Sequence, residues 1–241
     1  MPKLLKMKDK ADNFVIKKDK IFNVGFRLVL VGSSGSGKTS ALGSLITLNE
    51  FYNKDFIGTD IYIFSPMIND FKMDQIIKMK KIPSINIFQG NLDNEILDEL
   101  YEKLVEEFKE DIDSKKKPRN FLIIIDDCSF DGSLRSGLFN SVSRLFCNGR
   151  KSNISCIITA QYISHILPVV LCNITGGIFY NMSDRNLDIL CDHYNYTKSK
   201  RYFKELFREH VKEKHDHFII NFSNSRKEGI YLDKNFDKID F

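Results

Sequence analysis

At 241 residues the chain can form one α/β domain with a well-buried core. A make-up of 42% hydrophobic and 28% charged residues excludes a disordered or fibrous protein, and a formal charge of +4 does not by itself mark a nucleic-acid binder. Five cysteines stand singly, with no C-x-x-C pair, which argues against a disulfide framework and suits a reducing compartment. Residues 1–20, rich in Lys and Asp and without pattern, read as an arm. The basic N-terminal stretch has no apolar segment, and no apolar run approaches the roughly 20 residues of a membrane span. The expectation is a soluble intracellular protein without a membrane partner.

From Phe26 to Val31 a β-branched, apolar run predicts a buried strand. A helix is expected from Lys38 to about Glu50, a strand over Ile61–Phe64, a helix over Asp70–Lys81 and a short strand over Ile85–Phe88. Ile96, Leu97, Leu100, Leu104, Phe108 and Ile112 recur at helical spacing and predict a long amphipathic helix. Phe121–Ile125 is a fully apolar strand, followed by a helix over Leu134–Cys147 and strands over Ile154–Ala160 and Gly177–Tyr180. Two helices near 185–195 and 198–212 precede a terminal hairpin, Phe218–Phe222 with Gly229–Leu232. Alternation of strands and helices implies a mainly parallel sheet covered on both faces. The expected domain spans 21–241, with a core at 26–181 and a helix/hairpin extension at 182–241.

The segment Gly32-Ser33-Ser34-Gly35-Ser36-Gly37-Lys38-Thr39 follows a strand and opens a helix, the context a phosphate-binding loop requires. The glycines let successive backbone N–H groups face phosphates, and the helix N-terminus, reaching Ser40, adds its dipole. Lys38 is placed for the β/γ-phosphates of ATP and Thr39 for Mg²⁺. A chance Gly/Ser turn is the plainer alternative. Asp126 and Asp127 end the most apolar strand, where two carboxylates are costly without a cation or donors. Asp126 is expected to hold Mg²⁺ through water and Asp127 to polarise the attacking water; capping of the following segment by Asp and Ser129 is the structural alternative. Gln161, closing the strand Ile154–Ala160, would face the γ-phosphate if that strand lies between the other two. Otherwise it is a solvated strand end.

The run Gly149-Arg150-Lys151-Ser152-Asn153-Ile154, continuing to Thr159-Ala160-Gln161, resembles the Gly-Arg…strand…Gln segment of the FtsK/HerA superfamily of DNA-pumping ATPases. With the Asp-Asp ending and compact size, the chain is similar to the DNA-packaging ATPases of large double-stranded DNA viruses and virophages over about Phe26–Tyr180. The resemblance implies a RecA-like P-loop NTPase core, Mg-ATP, double-stranded DNA and a homo-oligomeric ring of five or six subunits. It also implies a capsid portal or vertex partner, and a setting in the host cytoplasm, a viral factory or the virion. It points to Arg150 as an arginine finger acting in trans, since a strand of about seven residues separates it by over ~20 Å from its own nucleotide; Arg144 is the rival. Many relatives carry Asp-Glu where this chain has Asp126-Asp127. Alternative functions are another FtsK/HerA-type pump or helicase, and a nucleotide-switched scaffold with negligible turnover. No Asn-Lys-x-Asp or Leu-Ser-Gly-Gly-Gln segment occurs, which disfavours GTPase and ABC-type readings. The scattered histidines fit no standard zinc spacing, and Lys115–Lys117 with Arg119 read as a solvated loop.

Overall fold

A computed structural model describes residues 21–68, 70–128 and 141–241. The expected N-terminal arm, Ser129 and the start of the helix expected from Leu134 lie outside the described residues.

The first strand, β1 (Arg27–Val31), runs into the glycine-rich loop and then α1 (Lys38–Thr47). The chain continues through β2 (Ile61–Ser65), α2 (Phe71–Lys80), β3 (Ile87–Gln89), α3 (Asn94–Asp113) and β4 (Phe121–Asp126). After α4 (Ser141–Asn148) come β5 (Ile154–Ala160), α5 (Pro168–Leu171) and β6 (Gly176–Tyr180). The C-terminal part adds α6 (Asp184–Tyr194), α7 (Lys200–His210), β7 (His217–Asn221) and β8 (Tyr231–Leu232).

All strands join one sheet in the order β3-β2-β4-β5-β1-β6-β7-β8. β1 to β6 pair in parallel, and β7 and β8 close the edge antiparallel. One face buries Leu42, Leu45 and Ile46 of α1 with Met73 and Ile76 of α2. The other buries the apolar stripes of α3, α4, α6 and α7. Strands covered on both faces need apolar residues at every position, which explains the unbroken run Phe121–Ile125. The fold is α/β and RecA-like, as the sequence implies.

Register positions the site. Asp126 pairs with Thr159, and Val31 with Ala160, so β1, β4 and β5 end level with one another. The glycine-rich loop, Asp126-Asp127 and Gln161 therefore emerge together at the carboxyl edge, where open α/β sheets bind ligands. One local expectation needs correction, and one short element escaped the sequence reading. Ile96 is 38% exposed, because the buried stripe of α3 is centred on Leu97, Leu100, Tyr101, Leu104 and Phe108. The four-residue α5, opened by Pro168 at its first turn, is too short to leave a periodic signal.

Candidate nucleotide site

The loop after β1 is held by its own backbone. Gly32 N–H donates to the Ala160 carbonyl (3.1 Å), extending the β1–β5 ladder. A Cβ at residue 32 would lie 2.6 Å from Tyr180 Cβ and 2.7 Å from Ser36 Oγ, so close approach alone demands glycine there. Gly37 has φ +115°, a conformation open to glycine. No side chain caps α1, which leaves its first N–H groups and positive dipole end facing the cleft. Lys38 Nζ donates to the carbonyls of Gly32 (2.7 Å) and Ser33 (3.2 Å). Burial lowers the Lys38 pKa, opposed by the charges of Asp127 and Asp126. Ser36 Oγ is buried without a partner among the described residues, whereas Ser33, Ser34 and Gly35 form the exposed rim. Ser40 Oγ accepts from Lys72 Nζ of α2 at 2.8 Å.

Across the cleft, Thr159 organises the carboxylates. Its hydroxyl donates to Asp126 Oδ1 (2.7 Å) and accepts the Asp127 N–H (3.0 Å). Ser65 Oγ stands 3.5 Å from Asp126 Oδ2. Burial raises the Asp126 pKa, and the Thr159 hydrogen bond partly offsets this. Asp127 sits at φ +51°, in the left-handed region that Asp and Asn tolerate better than other residues bearing side chains. Its Oδ2 accepts from Gln161 Nε2 (3.3 Å), and its Oδ1 is buried without a partner among the described residues. The left-handed turn is a physical reason for Asp rather than Glu at this position.

Lys38, Thr39, Asp126, Asp127 and Thr159 line one cleft of about 390 Å³. Thr39 and Asp126 offer hard oxygen donors, and the unpartnered Asp127 Oδ1 adds another acceptor, a set that suits Mg²⁺ retaining most of its waters. Ser65, Lys72 and Thr159 escaped the sequence reading. Thr159 left one signal: a hydroxyl inside an otherwise apolar strand must find a partner. A further contact comes from the C-terminal extension. His215 Nδ1 donates to the Ser36 carbonyl (3.0 Å), and a Cβ on Gly35 would lie 3.8 Å from Lys214 Nζ.

The two arginines differ in setting. Arg144 is tied to α3, with Asp98 at 3.4 Å, a salt bridge to Glu102, and its guanidinium 4.6 Å from the centre of the Tyr101 ring. Arg150 is exposed in a 3-10 turn before β5 and makes no ion pair among the described residues. Arg119 pairs with Glu107 and Asp111 at 2.8 Å each, so it braces the end of α3.

A glycine-rich loop joining the central β1 to α1, with an acidic strand end one strand away and a Gln closing the strand between, defines a P-loop NTPase. The chain matches the family described as Poxvirus A32 protein over residues 13–238, and it belongs to that family. The RecA-like P-loop fold expected from the sequence stands with it. No curated protein matches the chain. Among solved structures it is similar to the genome packaging NTPase B204 of Sulfolobus turreted icosahedral virus 2 in complex with AMP. That likeness has a TM-score of 0.60 and 12% identity, covering 89% of this chain and 98% of the other. It is also similar to the pCW3 conjugation coupling protein TcpA (TM-score 0.55, 14% identity, 93% and 68% covered). EssC of Geobacillus thermodenitrificans is a third (TM-score 0.53, 16% identity, 73% and 35% covered). Among the described residues no helix is long and apolar enough to cross a membrane.

Proposed function

We propose that this chain is a Mg-dependent ATPase that drives double-stranded DNA into a viral capsid, working as a homo-oligomeric ring of five or six copies. The observation that carries the reading is the Asp127–Gln161 contact at the carboxyl end of β5, between the P-loop strand and the Asp126 strand. It sets an acid-amide pair beside the cleft that Lys38 and Thr39 line. Membership of the A32 family and the fold shared with a genome packaging NTPase support the DNA-packaging part.

In this reading the N–H groups of residues 32–40 cradle the phosphates and Lys38 Nζ leaves its carbonyl partners for the β- and γ-phosphate oxygens. Bound Mg²⁺ would supply charge neutralisation, held by Thr39 and, through water, by Asp126. Asp127 accepts the proton of the attacking water as its oxygen bonds to the γ-phosphorus and the β–γ bridging oxygen departs with the electron pair. Gln161, able to donate and accept, holds that water and Asp127 in line. Arg150 of a neighbouring copy meets the charge on the γ-phosphoryl oxygens. Its lack of an ion pair among the described residues, against the engagement of Arg144, favours it for that role.

Triplex displacement tests translocation. The full chain with ATP should strip a third strand from linear double-stranded DNA of any sequence, with activity falling as salt rises, because counterion release dominates backbone contacts. Hydrolysis without displacement at every salt concentration would refute the motor.

A further inference from the structure

A second cavity, of about 350 Å³, opens at the amino ends of β1, β5 and β6, the end of the sheet away from the nucleotide cleft. Arg27 and Arg150 line it, and none of its lining residues is a carboxylate. Arg27 Nη1 donates to the Phe146 carbonyl at the last turn of α4 (2.8 Å), while its Nε is buried without a partner among the described residues. Burial and the nearby Arg150 charge both lower the Arg27 pKa. Two guanidinium groups thus share a partly desolvated cavity whose lining holds no carboxylate. That arrangement is unfavourable until an anion enters, and paired planar forks match phosphoryl oxygens.

The backbone also fixes the reach of Arg150. Gly25 has φ +81°, and a Cβ there would stand 3.2 Å from Arg150 Cγ. Its N–H donates to Ser155 Oγ of β5 (2.9 Å), which clamps the lead into β1 against the turn that carries Arg150. Gly25 lets the Arg150 stem lie against the chain, beside Arg27.

We infer that this cavity is a phosphoryl-binding site in which Arg27 is a second cation beside Arg150, with Gly25 positioning the pair, and that the phosphoryl group it takes is the terminal phosphate of a nucleotide held by a neighbouring copy. The inference rests on the trans role of Arg150. The length of β5 separates the cavity from the chain's own P-loop, which rules out its own nucleotide.

The test uses the full chain assembled with ATP and DNA. Arg27→Gln keeps an amide for the Phe146 carbonyl but drops the charge. It should slow hydrolysis at least roughly tenfold, a small part of what an arginine finger supplies, while fluorescent-nucleotide affinity of the unassembled chain stays unchanged. Mixed rings with Lys38→Ala, verified by native mass spectrometry, should recover activity. Arg27→Lys keeps the charge without the fork; it should fall between and guards against loss of folding in the Gln variant. Full activity of Arg27→Gln, or loss without recovery in mixed rings while Arg150→Ala is recovered, overturns the role of Arg27 and leaves the ring reading standing. Failure of Arg150→Ala to lose activity overturns the ring reading itself. Pyrophosphate titrated into unassembled Lys38→Ala, followed by the Arg Nε–H resonances, distinguishes the source. Shifts of Arg27 and Arg150 together with recovery in mixed rings support the inference, and shifts without recovery assign the cavity to free phosphate and overturn it.

Discussion

Replacing Thr159 with Val removes one oxygen and almost no volume, at a position with no solvent exposure. The lost hydroxyl makes two hydrogen bonds, to Asp126 Oδ1 at 2.7 Å and from the Asp127 N–H at 3.0 Å. A hydrogen bond to a charged group contributes about 1.5–3 kcal/mol, and a buried N–H left unpaired costs about 1–3 kcal/mol. The expected destabilisation is therefore about 2.5–6 kcal/mol, equivalent to a Tm drop of roughly 5–24 °C for a domain of this size. The pH dependence follows from Asp126. Burial already raises its pKa in the folded state, so the group favours folding when protonated and opposes it when ionised. That stability is fully present below the unfolded carboxylate pKa near ~3.9 and is lost as pH rises through the folded value. Without Thr159 the folded pKa climbs further, so the deficit should be largest at neutral pH and shrink in acid. Urea unfolding of both proteins between pH 5 and pH 8 measures it. Equal stability at pH 8, or a deficit that grows on acidification, would refute the place given to Thr159.

Asp126→Asn should raise the Tm of the nucleotide-free protein at neutral pH, since it removes a buried carboxylate whose ionised form is disfavoured, while abolishing the Mg²⁺ dependence of ATP binding; calorimetry with and without Mg-ATP checks both signs. Asp127→Asn keeps a residue suited to φ +51° and should bind ATP normally but hydrolyse it roughly 10²-fold more slowly; an unchanged single-turnover rate would remove Asp127 from water activation. Asp127→Glu should lower stability by about 1 kcal/mol, the lower range of left-handed strain, and a thermal melt at or above that of the parent would contradict the backbone reason given for Asp here.

Much of the site was legible because its parts lie close along the chain and obey strict local rules. Gly32, Gly37 and Lys38 fall between a strand and a helix, and Asp126-Asp127 interrupts an apolar run abruptly. The position of Gln161 depended on strand order, which alternation of elements does not dictate; placing β5 between β1 and β4 needed the structure. Thr159 and Ser65 were hidden because each looks like an ordinary strand residue until register sets it beside Asp126. His215 was discounted as a scattered histidine, yet the turn after α7 carries it to the Ser36 carbonyl, a contact across 179 positions. Arg27 lies inside the run Phe26–Val31 that reads as a buried strand, and only the cavity it shares with Arg150 gives it another reading. The apolar stripe of α3 was found one residue out of phase at Ile96, because a helix face is wide enough to admit a neighbour into the count.

Steady-state ATP hydrolysis by the purified full chain and by Lys38→Ala, each with and without linear double-stranded DNA, tests the central claim most directly. The parent chain should hydrolyse ATP and accelerate with DNA of any sequence, and Lys38→Ala should show neither activity nor acceleration. Undiminished hydrolysis by Lys38→Ala would contradict the assignment of this cleft as the catalytic site.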